Sequence, residues 1–103
     1  MEDDLQSLAR NVDGAANLLS ALANAKRLEI LQILLEGEFT VGELAQKVAM
    51  SQSSLSQHLA KLRLLDLVEA RRDAQWIYYS CRSRAVHQLV ACLMPIVSRA
   101  LDA

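Results

Sequence analysis

The stretch that decides the fold is SQSSLSQHLAKLRLLDLVEARR (Ser51–Arg72), followed by DAQWIYYSC (Asp73–Cys81). Its first half spaces Leu55, Leu59 and Leu62 so that they share one face of a helix. That helix runs from Gln52 to about Leu65, with Ser51 as its N-cap. Its second half switches to a period of two. Val68 and Ala70 alternate with Glu69 and Arg71; Trp76, Tyr78 and Ser80 alternate with Ile77, Tyr79 and Cys81. This pattern predicts a β-hairpin turning near Asp73-Ala74. Alanine is not a residue that a two-residue primed turn favours, which leaves a longer loop open at Ala74.

The outward face of the helix is unusual. No carboxylate occurs from Gln52 to Leu65, whereas an ordinary solvated helix has little reason to exclude them. At roughly 100° per residue, Ser53, Gln57, Ala60 and Lys61 fall opposite the leucines, and His58 falls on the flank. Gln57 can pair bidentately with adenine, Ser53 can bond to either kind of base, and Ala60 is small enough to touch a thymine methyl. Gln52 and Ser56 stand beside them. The helix N-terminus, around Gln52 and Ser53, offers free N–H groups to a phosphate, and Lys61 suits a phosphate of the flanking backbone. Ser51 and Thr40, hydroxyl residues at two helix starts, are further candidate phosphate contacts. His58 is assigned to the same surface, although packing is the commoner role for a histidine at such a position. At the hairpin tip, Arg71, Arg72 and Gln75 can reach phosphate or enter a minor groove. The plain alternative there is a solvated turn with a local Arg–Asp73 pair. Trp76, Tyr78 and Tyr79 read as hairpin packing. Together these residues point to double-stranded DNA as a partner.

The rest of the chain completes the architecture. Leu5, Leu8, Val12, Ala15, Leu18, Leu19 and Leu22 predict a first helix from about Asp4 to Leu22. Asn24 is placed to cap a second helix carrying Leu28, Leu31, Leu34 and Leu35, and Gly37 to end it. Thr40-Val41-Gly42-Glu43 matches a capping box and opens a short third helix, Val41 to Val48. The brief connection Ala49–Ser51 makes the third and fourth helices a helix-turn-helix. A final helix runs from about Ser83 to Leu101; Pro95 is expected to kink it or end it early. The expected fold is mainly α: a winged helix-turn-helix of five helices, with the hairpin as its wing and an extra helix at each end.

Composition agrees with one small domain. At 103 residues the chain buries only about two-thirds of its unfolded surface, so a shared dimer core would help it. No apolar run approaches the roughly 18 residues that span a membrane. The acidic start (Glu2, Asp3, Asp4) argues against a secretory signal, so a cytoplasmic location is expected. The formal net charge of −1 looks wrong for a DNA partner, but its distribution matters more. Lys61, Arg63, Arg71, Arg72 and Arg82 outnumber Asp66, Glu69 and Asp73, so residues 51–82 are positive while the first helix is negative. The excess is modest, and binding by a lone subunit should be weak.

From Ala23 to Ser80 the chain resembles the ArsR/SmtB family of bacterial winged-helix repressors. SQSSLSQHLAKLR and RRDAQWIYYS resemble its NolR, HlyU and BigR branch. The resemblance implies a homodimer built from the first and last helices, an imperfect inverted-repeat operator, and repression by blocking RNA polymerase. It places the base-reading helix at Gln52 through Lys61 and the wing tip at Arg72 through Gln75. It also implies what is missing. Metal sensors of the family carry Cys-Val-Cys where this chain has Thr40 and Gly42. Others carry paired Asp/His and His/Glu ligands on the last helix, where this chain has only His87. Redox-sensing members pair cysteines at positions held here by Gln32 and Ser98. No metal site or cofactor is therefore expected.

Cys81 and Cys92 read as small hydrophobes, with a thiol switch altering the dimer interface as the alternative. The inducing signal, small molecule or redox, is not legible. A winged-helix module that binds other proteins is the competing function, favoured by the slight net negative charge and the acidic first helix. An enzyme is excluded by the lack of a Gly-rich phosphate loop, a metal cluster, or a Ser-His-Asp or Cys-His arrangement.

Overall fold

The computed structural model describes residues 11–102. The expected first turns of the opening helix, residues 4–10, lie outside the described residues. Its remainder is α1, Val12–Leu22. There follow α2 (Ala25–Glu36), β1 (Phe39–Thr40), α3 (Val41–Val48), α4 (Gln52–Leu64), β2 (Glu69–Asp73), β3 (Trp76–Ser80) and α5 (Arg84–Asp102). The described residues thus form the expected winged helix-turn-helix with five helices.

The starts of α2, α3, α4 and α5 each have a chemical cause. The Asn24 side chain accepts from the Arg27 backbone N–H at 3.1 Å. Thr40 and Glu43 form the full capping box: Glu43 N donates to Thr40 Oγ1 at 3.2 Å, and Thr40 N to Glu43 Oε1 at 3.0 Å. Ser51 Oγ accepts from Ser54 N at 3.2 Å, and Ser83 Oγ from Val86 N at 3.2 Å. These caps satisfy N–H groups that a helix leaves unpaired at its start. Gly37 follows α2 in extended backbone, so the helix stops there without a left-handed cap.

The core lies where the apolar faces of α2, α3 and α4 meet. Ile30, Leu31, Leu44, Val48, Leu55, Leu59 and Leu62 are all at most 1% exposed, and Val86 joins them from α5. The turn between α3 and α4 depends on Ala49, whose φ of 53° is left-handed. Met50 N then donates to Ala45 O at 3.1 Å and closes α3.

Three features of the backbone depart from the sequence expectations. First, the wing is a three-stranded antiparallel sheet in the order β1-β3-β2, because Phe39 pairs with Tyr79 and Thr40 with Tyr78. Two residues are too short to show a period of their own. Second, the hairpin turn is one residue later and tighter than expected. Asp73 faces Trp76, leaving only Ala74-Gln75 in the loop, with Ala74 at φ 56°. Sheet pairing on both sides of the turn holds the alanine in a region usually given to glycine. Third, α5 does not end early: it continues through Pro95 to Asp102. The proline leaves the Ala91 carbonyl without its usual helical donor.

The described part of the chain is also elongated. Its radius of gyration is 15.3 Å, against about 13 Å for a compact 100-residue domain. Apolar side chains are left uncovered on both terminal helices: Val12 and Leu19 on α1, and Met94, Ile96, Val97 and Leu101 on α5. Cys92 is exposed on α5, contrary to its expected burial; its apolar neighbours are themselves uncovered in a single protomer.

Candidate nucleic-acid interface

Helix α4 is anchored from below and free above. Leu55, Leu59 and Leu62 are at most 1% exposed, while Gln52, Ser53, Ser56, Gln57, Ala60 and Lys61 are all exposed. The helical projection therefore puts the amide and hydroxyl side chains on the solvent face, with no carboxylate among them. Ser51 Oγ lies 3.3 Å from Ser53 Oγ and 3.0 Å from Ser54 Oγ, so a small hydroxyl cluster crowns the helix start.

The fold brings together residues far apart in sequence. A cleft of about 280 Å³ between the wing and the helix-turn-helix is lined by Thr40, Gln52 and Gln75, with Trp76 and Ile77 on the wing side. Gly42 also lines it, and a Cβ there would sit 3.7 Å from the Gln52 amide nitrogen, an ordinary contact. On the other flank of α4, a hollow of about 370 Å³ is lined by Ser56, Ala60, Arg63, Leu64 and Tyr79. Arg63 was not among the sequence candidates. The same helical projection could have found it, since it falls beside Ser56 on the flank opposite His58. Leu64, 84% exposed, shares this hollow with the wing residue Tyr79.

The cations divide into engaged and unengaged. Arg71 is committed to the fold. Its Nε donates to Glu38 Oε2 at 2.9 Å and its Nη2 to Oε1 at 3.3 Å, and its guanidinium lies 4.9 Å over the Tyr78 ring. The bond to Arg71 holds Glu38 below the usual carboxylate range, and the same bond raises Arg71. The partner is thus Glu38 rather than the neighbouring Asp73. Arg72 is exposed at the hairpin tip, where its Nε donates to the Ala74 carbonyl at 3.3 Å. Among the described residues, Lys61, Arg63 and Arg72 make no ion pair. Lys26 is held by the Val48 carbonyl at 2.6 Å and by Glu29 at 3.5 Å.

His58 is half-buried. Burial, then the nearby positive charges of Arg27 and Lys61, push its pKa down, so the ring is neutral at neutral pH. It can offer a hydrogen bond but not a positive charge. Thr40 is similarly constrained: its hydroxyl oxygen is occupied by Glu43 N, and the adjacent Glu43 carboxylate repels phosphate. Backbone and side-chain hydrogen bonds from Thr40 keep Glu43 below the ordinary range, hence charged. Cys81 is 5% exposed, and burial pushes its thiol up, away from the reactive thiolate.

Among the described residues, no group of three or more His, Cys, Asp or Glu side chains is placed to hold a metal ion. None of their helices is long and apolar enough to cross a membrane.

The same arrangement is found in known proteins. The family described as "Bacterial regulatory protein, arsR family" matches residues 17–70. The nodulation protein NolR of Rhizobium meliloti is 50% identical over 107 residues, covering all of this chain and 88% of that protein. The transcriptional activator HlyU of Vibrio cholerae is 44% identical over 90 residues, covering 87% of this chain and 83% of that protein. Among solved structures, the transcriptional repressor BigR from Xylella fastidiosa superposes with a TM-score of 0.81 at 40% identity, covering 93% of this chain and 95% of that one. The homodimeric winged helix-turn-helix DNA-binding domain of Mb0332 from Mycobacterium bovis gives 0.80 at 34% identity, covering 91% and 87%. With its helix-turn-helix and wing in place and a relative 50% identical along its whole length, the chain belongs to the arsR family of bacterial regulatory proteins.

Proposed function

We propose that the protein is a homodimeric transcriptional regulator that binds an inverted-repeat DNA operator and represses by occupying it. The observation that carries the reading is the exposed, carboxylate-free face of α4, seated on buried Leu55, Leu59 and Leu62. Gln57 and Ser53 read base edges, with Gln52 and Ser56 at the margins. Lys61 holds a backbone phosphate, and Ser51 crowns the same helix start. Arg72 and Gln75 present the wing to the adjacent groove. Arg71 acts mainly by holding the wing to Glu38. Thr40 serves its helix cap first.

Dimerisation follows from the uncovered faces of α1 and α5. Ile96 at 57% exposure and Leu101 at 82% are large apolar side chains left uncovered among the described residues. The relative Mb0332 is a homodimer with the same fold. Pairing through these helices puts two α4 helices in successive major grooves, about 34–36 Å apart. It also doubles a modest positive charge, which a single subunit needs.

Random-site selection with the purified protein tests the reading. An enriched inverted repeat with half-sites one helical turn apart is expected. Recovery of no repeat, with salt-dependent but sequence-blind binding, would overturn it. The relatives include an activator, HlyU, as well as a repressor, BigR. A reporter placed behind the selected operator fixes the sign: repression in the presence of the protein is expected.

A further inference from the structure

Between α1, the start of α2 and the C-terminal half of α4 lies a cavity of about 340 Å³ that the DNA-binding reading leaves unused. Ala21 and Leu62 form its buried floor, and Leu64 and Leu65 add apolar wall. Arg27 and Lys61 both line it, Asn17 and Ser20 form a neutral rim, and no carboxylate among the described residues lines it. The size is at the lower end of small-molecule sites, and the mix of apolar wall and a few converging polar groups is what such sites share.

Arg27 is the anomaly. Its backbone N–H is taken by Asn24, and its Nη2 donates to the Ser20 carbonyl at 3.2 Å. Its Nε is buried and has no hydrogen-bond partner among the described residues. The nearest acid on the same helix, Glu29, is paired with Lys26 instead. A buried donor left unsatisfied is unfavourable, and Arg27 makes no ion pair among the described residues. Arg27 and Lys61 line the same cavity, and both lie near His58, whose pKa their charges help to lower after burial.

We propose that this cavity binds a small organic acid, its carboxylate on Arg27 and Lys61 and its apolar body against Leu62, Leu64 and Leu65. The carboxylate pairs with the part of the Arg27 guanidinium that lines the cavity and with Lys61. A bare inorganic anion would leave the apolar walls empty, and a phosphodiester held in a duplex has no apolar body to fill them. Lys61 connects the cavity to the outer face of α4. A bound acid therefore draws Lys61 away from the DNA backbone and weakens operator binding. This coupling rests on the proposed DNA role of Lys61; occupancy of the cavity does not.

The test is calorimetric titration of the purified full-length protein, without DNA, using benzoate and hexanoate as probes and inorganic phosphate as comparator. At least one of the two acids should bind saturably, one per protomer, and phosphate should not compete. Arg27→Gln should weaken binding at least tenfold. Asn17→Trp, at the exposed rim, should block the cavity while leaving the melting temperature unchanged and operator affinity within twofold of the parent. The site is overturned if neither acid binds saturably, if both variants bind as the parent does, or if phosphate competes equally. In a second arm, a saturating acid should weaken operator binding severalfold. An acid that binds but leaves operator affinity unchanged removes the coupling through Lys61 and keeps the site.

Discussion

Arg71 and Glu38 are joined through two hydrogen bonds, Nε to Oε2 at 2.9 Å and Nη2 to Oε1 at 3.3 Å. The pair ties the outer wing strand to the segment leading into β1. The bond lowers the Glu38 pKa, so its contribution to stability is present above the ordinary carboxylate range. It is lost as pH falls through the folded value. Glu38→Gln should therefore melt slightly earlier than the parent at neutral pH, and the two should converge in acid. Melting curves across pH check this; a gap that persists in acid would mean that the ion pair is not its source.

The same pair separates the two wing arginines. Arg72→Ala should reduce the slope of log affinity against log salt by about 0.9, the signature of one lost phosphate contact. Arg71→Ala should leave that slope nearly unchanged and lower thermal stability instead. Fluorescence anisotropy on the selected operator at several salt concentrations separates them. Equal slope losses would return Arg71 to the DNA surface.

Gln57 and Lys61 should behave differently on one helix. Gln57→Ala is expected to cost about 1–3 kcal/mol on the best operator and to relax preference at one base pair. Lys61→Ala should weaken all sequences alike. Repeating the site selection with each variant gives the answer. A uniform loss for both would remove base readout from Gln57.

The apolar face of α5 should control assembly. Ile96→Glu places a charge where Ile96 is 57% exposed in one protomer, so the monomer loses little. In a dimer that charge would be buried without a partner. Light scattering should then report a monomer with reduced operator affinity and intact helical content. A variant that remains dimeric would mean that another surface pairs.

The wing turn carries removable strain. Ala74 sits at φ 56°, and relieving an L-residue there is worth roughly 1 kcal/mol after the extra flexibility of glycine is counted. Ala74→Gly should raise the urea midpoint without changing its slope. No change would mean that the turn relaxes freely.

Much of this was legible in the chain. Leucines at 55, 59 and 62 define a buried face, and all three are at most 1% exposed. Thr40 and Glu43 announce their capping box by spacing alone. Both signals are local: they depend on residues three or four positions apart, which a helix brings together wherever it lies. The two-residue strand β1 was not legible, because Phe39 and Thr40 become a strand only by pairing with Tyr79 and Tyr78. The engagement of Arg71 was hidden for the same reason, as Glu38 lies 33 residues away.

Sequence by itself determined the order of the helices and the hairpin, the face that α4 turns outward and the hydroxyl and amide character of that face. Periodicity and capping chemistry act within a few residues, so they survive without knowledge of the fold. Tertiary structure alone decided which of two adjacent arginines is held and which reaches outward. It also decided how the tight turn at Ala74 is enforced, and that Arg27 and Lys61 converge on one cavity. Those outcomes depend on long-range pairing, where a charge meets whatever partner packing brings within about 3 Å, and no local pattern records that meeting.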